Sequence, residues 1–319
     1  MRLDFEQIKR ITVGSVNTRV EDGGIHFSKC TEKQISEWDR KSKTLGMRSR
    51  STTGVRLDFY TDSQNISFKV LGGNKYEIKI DGLVFKQVRT EKNEVVSLAL
   101  SDPLGNRKDG YRVTVVFPSH DEPAILEYVE LDDGSFVRPC DYDRKILFIG
   151  DSITQGWASS HDSYSYAYRV SDFFNAESVI QGIGGAYLNE DSFDRLPFDP
   201  DVVIMAYGTN DFGHYKTYDE LCSHADAHTS AVAEEYKDKK LFYISPIWRD
   251  KREGKEMGSF EECRRIIAET AKKNGFDHID GLTLVPPRPE LFQDEYLHPN
   301  DNGFSLYAEN LIKYLNGKI

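Results

Sequence analysis

"KILFIGDSITQGW", residues 145–157, decides how the chain is read. Its first half is a short apolar run, the pattern of a strand buried on both faces. The chain then turns through Gly150 and Asp151, presents Ser152, and becomes polar. Ser and Thr directly after a turn also cap helices, so the stretch reads as strand, turn and helix. A serine placed there is either a cap or a nucleophile.

Working outward toward the C-terminus, further apolar runs appear at "ESVIQG", "DVVIMAYG", "KLFYISP" and "HIDG". Helix-compatible stretches separate them, among them "TYDELCSHADAHTSAVAEEY" and "SFEECRRIIAETAKKNG", the second ending at the C-cap candidate Gly275. Strands alternating with helices imply βαβ units and a parallel sheet covered on both faces. In such sheets ligands bind beyond the carboxyl ends of the strands. Ser152, Gly182, Asn210 and Pro246 all fall at such ends.

Toward the N-terminus the period changes to two. "GVRLDFYTDSQNISFKVL" puts Val55, Leu57 and Phe59 on one face, then Ile66, Phe68 and Val70 in the next run. "KYEIKIDGLVF" repeats the pattern around Asp81-Gly82, a hairpin signal. "VVSLAL", "YRVTVVF" and "AILEYVEL" continue it, so this part reads as a β-sandwich with little helix. The polar segment "RPCDYDRK", residues 138–145, marks the boundary. The expected organisation is an accessory β-sandwich over 1–140 and an α/β domain over 145–319.

Composition limits the partners. A formal net charge of −11 without a long Lys/Arg block disfavours nucleic acid and anionic membranes. No apolar run approaches the roughly 20 residues of a membrane span. The charged start "MRLDFEQIKRITVG" lacks the core of a signal peptide, so a cytoplasmic location is expected. Cys30, Cys140, Cys222 and Cys263 are scattered, which suits a reducing compartment and is neither a zinc pattern nor a disulfide framework. His224 and His228 stand four apart on a helical stretch. No third ligand accompanies them, and a solvated helix face is the expected reading. No cofactor or metal is expected, and a homo-oligomer is compatible with the sequence.

Four blocks follow one another at these strand ends: "GDSIT" with Ser152, "QGIGGA" with Gly182, Gly184 and Gly185, "YGTND" with Asn210, and "DEYLHPND" with His298. Their chemistry is complementary. A serine hydroxyl needs a base to take its proton, and ester cleavage needs donors for a tetrahedral oxyanion. His298 is the base candidate. The Ser152 amide, a glycine amide and the Asn210 side chain are the donor candidates. The G-x-S-x-G elbow of α/β-hydrolases is absent, since Thr154 stands where its second glycine belongs.

The set of blocks resembles the SGNH/GDSL hydrolase superfamily from about residue 145 to the end. That resemblance implies a flavodoxin-like three-layer α/β/α domain with Ser152 as nucleophile. It also implies an oxyanion hole of Ser152, Gly185 and Asn210. Family members usually carry an aspartate three residues before the histidine. Here that position holds Glu295, while Asp294 lies four before. Asp294, Glu295 and a Ser–His dyad therefore stand as alternatives for the third member. A β-sandwich, jelly-roll-like, before such a domain is similar to two-domain carbohydrate esterases and to related acyltransferases. The expected substrate is a short acyl ester, acetyl in the first instance, of a carbohydrate or small metabolite. Transfer to an alcohol of a sugar or natural product is the alternative, and a carbohydrate-binding protein with an inactive domain is a third. Trp157 and Trp248 are candidates for the substrate pocket, or for half-buried core.

Overall fold

A computed structural model describes residues 1–100, 110–120, 122–294 and 296–319. The apolar runs of the C-terminal part form one parallel sheet. Its order is Ala176–Gly182, Arg144–Gly150, Val202–Ala206, Lys240–Ile244 and Asp277–Ile279, or 2-1-3-4-5 in chain order. That is the flavodoxin-like arrangement. Because side chains alternate along a strand, Ile146 and Phe148 face one helical layer and Leu147 and Ile149 the other. On the first side lie Tyr166–Phe173 and Asp301–Leu315, on the second Tyr218–Glu235 and Phe260–Lys273.

The N-terminal part contains two antiparallel sheets packed face to face. One is ordered Thr12–Val13, Arg56–Thr61, Tyr111–Val116, Lys75–Ile80 and Leu83–Arg89, with Arg138–Pro139 pairing onto Arg56–Thr61. The other is ordered Asn17–Glu21, Gly24–Ser28, Ile125–Leu131, Asn65–Val70 and Val95–Ala99. Leu57 and Phe59 of the first meet Ile66 and Phe68 of the second in a common core. The hairpin turn falls at Asp81-Gly82, whose φ angles of 51° and 82° give the twist that joins right-handed strands.

The structure departs from the purely β reading of this part in its first fifty residues. Phe5–Ile11, Glu32–Lys41 and Lys43–Ser49 are helices. Thr31 and Gln34 close a reciprocal capping box, and the Ser42 side chain caps the next helix. Ile35, Trp38 and Leu45 are buried in the same cluster as Leu147, Ile149 and Tyr187. This helical pair is therefore part of the second helical layer of the α/β domain.

The two parts are joined by a buried polar seam. Arg56 and Asp58 alternate with core residues and would face water in an isolated sandwich, yet each is only 1% exposed. Asp58 accepts hydrogen bonds from Arg112 at 2.6–2.7 Å and from the Tyr142 hydroxyl at 2.7 Å, and Arg56 pairs with it at 3.2 Å. Arg56 also donates to the Ala176 carbonyl at 3.4 Å. Lys79 pairs with Asp172 across the same face. Among the described residues no helix is long and apolar enough to cross a membrane.

Candidate active site

Ser152 lies directly after the strand Arg144–Gly150, at the first position of the short helix Ser152–Gln155. Asp151 caps that helix, its carboxylate accepting the Ile153 amide at 2.9 Å. Ser152 is 5% exposed, and its Oγ lies 2.9 Å from His298 Nε2. His298 Nδ1 lies 2.7 Å from Asp294 Oδ2. The structure thus brings Ser152, His298 and Asp294 into one hydrogen-bonded line. Glu295, the alternative carboxylate, lies outside the described residues.

Asp294 reaches the imidazole from four residues back because the loop folds around its carboxylate. Asp294 Oδ1 accepts the amides of Tyr296, Leu297 and His298 at 3.2, 2.8 and 3.0 Å. The loop is pinched at its base, where the Gln293 amide donates to the His298 carbonyl at 2.8 Å and Phe292 bridges to Pro299. Burial raises the Asp294 carboxyl, but the backbone amides and the His298 ring outweigh it and hold it below its ordinary value. For His298, burial is the largest cause and lowers the imidazole; Asp294 raises it, and together burial, Arg249 and Arg48 hold it below its ordinary value. The ring is therefore neutral at pH 7 and ready to accept a proton at Nε2.

The glycine block packs against the nucleophile's helix. A Cβ on Gly182 would sit 2.3 Å from the Gln155 amide nitrogen, so only glycine allows this approach. The Gly184 amide is taken by Gln155 Oε1 at 2.7 Å. The Gly185 amide meets no acceptor among the described residues, and its φ of 85° is a left-handed conformation that favours glycine. Asn210 follows the strand Val202–Ala206. Its side-chain amide donates to the Ala186 carbonyl at 2.9 Å, which fixes the amide plane and leaves its second N–H available. Gly185 and Asn210 line a common cleft of about 510 Å³ with Leu297, the neighbour of His298.

The tryptophans separate. Trp157 stands 6.3 Å from the His298 ring, with His120 edge-on at 4.9 Å and the Arg48 guanidinium 5.0 Å from its centroid. Trp248 packs on Phe292 at 5.0 Å against the core, and neither tryptophan lines the cleft. For Trp248 the half-buried core reading is the one observed. The solvated-face reading of the histidine pair also needs correction. His228 is 1% exposed, accepts the Asn189 amide at 3.1 Å, and is pushed down to about 4 by burial. His224 instead pairs with Glu190 at 2.8 Å. Among the described residues no group of three or more His, Cys, Asp or Glu side chains is placed to hold a metal.

Three residues of the site had no signal in the sequence. Gln155 links the nucleophile's helix to the Gly184 amide and donates to the Ser119 carbonyl of the sandwich. Arg48 donates to the Gly184 carbonyl at 2.9 Å. Arg249 donates to the Thr209 carbonyl at 2.8 Å, next to Asn210. None of the three belongs to a block with a spacing to read, although Gln155 directly follows "GDSIT".

Residues 148–306 match the model of the GDSL-like lipase/acylhydrolase family. No curated protein matches the sequence. Among solved structures, the chain is similar to the salicylyl-acyltransferase SsfX3 from a tetracycline biosynthetic pathway. The TM-score is 0.79 at 17% identity, covering 96% of this chain and 94% of that one. It is similar to a candidate GDSL-like lipase from Bacteroides ovatus, with a TM-score of 0.72 at 17% identity and coverage of 99% and 97%. A family two carbohydrate esterase from Clostridium thermocellum, solved with cellohexaose, gives 0.59 at 20% identity, with coverage of 83% and 91%. At these identities the likeness establishes the shared two-part fold.

Proposed function

Since residues 148–306 form a GDSL-like lipase/acylhydrolase domain, we propose that the protein is a serine esterase. Its substrate is a short-chain acyl ester, acetyl in the first instance, of a carbohydrate or small metabolite. The observation that carries this reading is the line Asp294–His298–Ser152, with contacts of 2.7 and 2.9 Å ending on a hydroxyl beside a cleft. His298 Nε2 takes the Ser152 proton as Oγ attacks the acyl carbon. The tetrahedral oxyanion is held by the amides of Ser152 and Gly185 and by the second N–H of Asn210. His298 then gives its proton to the departing alkoxide, leaving an acyl-serine. Water, deprotonated by the same nitrogen, attacks that ester and releases the acid. Asp294 keeps the ring in the tautomer with its proton on Nδ1 and steadies the imidazolium.

A second reading is acyl transfer, in which an alcohol replaces that water. It is favoured by the likeness in fold over nearly the whole chain to the salicylyl-acyltransferase. A purely carbohydrate-binding role has less support, because the machinery for proton transfer is assembled. The deciding experiment is turnover of 4-nitrophenyl acetate by wild type and Ser152→Ala, with labelling by a fluorophosphonate probe. Turnover and labelling that both vanish in the variant support a serine acyl-enzyme. Turnover that appears only with an added alcohol favours transfer. A wild type that neither turns over nor labels removes both readings.

A further inference from the structure

The cleft beside the site is lined by cationic side chains and by no carboxylate among the described residues. Arg249 lines it and is itself only 9% exposed. Its guanidinium donates to two main-chain carbonyls, Thr209 at 2.8 Å and Asp250 at 3.1 Å. No ion pair joins it to a carboxylate among the described residues, and its Nη2 meets no protein acceptor there. The rings of Phe212 and Phe260 lie 5.7 Å from its central carbon and shield it from the other side. Asp151 and Asp250 act on it only through space, and a buried cation without a contacting counter-charge is costly to keep. An arginine fork held rigid at the wall of an open cleft is suited to a planar carboxylate from outside.

The surroundings reinforce the charge. Lys41 and Lys255 line the same cleft, and no carboxylate lines it among the described residues. Lys41 is offset by Glu37 at 3.5 Å, whereas Lys255 has no ion-pair partner among the described residues. This cationic cleft sits in a protein whose formal net charge is −11, so an anion finds a local attraction against a repelling surface. The Thr209 carbonyl joins Arg249 to the loop that carries Asn210, and Gly185 lines the same space. The cleft thus adjoins the loops that carry the oxyanion donor candidates.

Resting on the esterase reading, we infer that the preferred substrate is an ester bearing a carboxylate, seated in the cleft against Arg249. The carboxylate sits on either the acyl or the alcohol side, and matched esters distinguish the two. On the acyl side, mono-4-nitrophenyl succinate is compared with 4-nitrophenyl butyrate. On the alcohol side, 4-acetoxybenzoate is compared with its methyl ester. The charged member of at least one pair is expected to have the higher kcat/KM by roughly ten- to hundredfold, the worth of a hydrogen bond to a charged group. Arg249→Gln should abolish that preference through KM for the charged ester, Arg249→Lys should keep part of it, and added salt should weaken it. No preference in either pair overturns the inference. So does an equal fall for both members in Arg249→Gln, which would make Arg249 a positioning residue for the Asn210 loop. Calorimetric binding of 4-acetoxybenzoate and its methyl ester to Ser152→Ala gives a readout without turnover. If the wild type cleaves no ester, the esterase reading fails, and tighter binding of the charged compound would still support the cationic site while equal binding would remove it.

Discussion

The Asp294 carboxylate holds His298 at two points, accepting from its ring at 2.7 Å through one oxygen and from its backbone amide at 3.0 Å through the other. One residue thus sets both the position of the loop and the tautomer of the ring. Asp294→Asn separates the two functions, because an amide oxygen still accepts the backbone amides while an amide nitrogen facing Nδ1 favours the wrong tautomer. The variant should fold as the wild type and lose roughly 10³–10⁴-fold in kcat. The acid limb of the wild-type profile should lie below pH 6.5, since burial lowers the His298 ring. In the variant it should move lower still, because Asp294 is the group that raises it. Near wild-type activity would mean that Ser152 and His298 work as a dyad.

Asn210 is held by the Ala186 carbonyl at 2.9 Å, so its amide is oriented before any substrate arrives. Pre-orientation gives such a donor its value at a developing oxyanion. Asn210→Ala should lower kcat by roughly 10²–10³-fold with little change in KM. A variant with full activity would remove Asn210 from the oxyanion assignment.

Trp38 fixes the N-terminal helical pair to the α/β domain. It is 1% exposed and meets Tyr187 edge-on at 5.9 Å, and Tyr187 lines the cleft. Trp38→Ala should cost about 3–5 kcal/mol, the usual range for a buried aromatic, read as a lower midpoint in urea denaturation. A loss below about 1 kcal/mol would show that the helical pair is peripheral to the stability of the domain.

Much of this arrangement is legible in the sequence, for reasons that also explain the gaps. The parallel strands show because both of their faces are buried, which makes them short and predominantly apolar. Ser152, Gly185, Asn210 and His298 show because each sits at a strand end or loop that the topology brings together. Asp294 and Glu295 stay equivalent in sequence, since spacing does not reveal that a carboxylate accepting three successive amides draws the loop in by one residue. The helical pair is announced by "TEKQ", a capping box at residues 31–34, but it is short and flanked by strands. Arg56 and Asp58 alternate with Val55, Leu57 and Phe59, and period-two alternation does not distinguish a face turned to water from one buried on a second domain. Arg48 and Arg249 reach the site by tertiary packing alone.

Asp211 offers a test of the buried charges behind the site. It is fully buried, with Oδ1 accepting the Leu188 amide at 2.8 Å and Oδ2 without a hydrogen-bond partner. Burial pushes both Asp211 and Asp151 up to about 7 from an ordinary 3.8, and each carboxylate raises or is raised by nearby acidic groups. Between those pH values the folded protein holds protons that the unfolded chain has released. The contribution of these two carboxyls to stability therefore falls as pH rises from about 4 to about 7 and levels off above, while buried His228, pushed down to about 4, contributes in the opposite direction over part of that range. Asp211→Asn keeps an acceptor for the Leu188 amide and removes one of the two titrations. Relative to the wild type, its melting temperature should fall less, or rise more, between pH 5 and pH 8, because the Asp211 contribution is the one removed. Equal changes in the two proteins would show that Asp211 is already ionised in the folded state at pH 5, and that its carboxylate has a counter-charge.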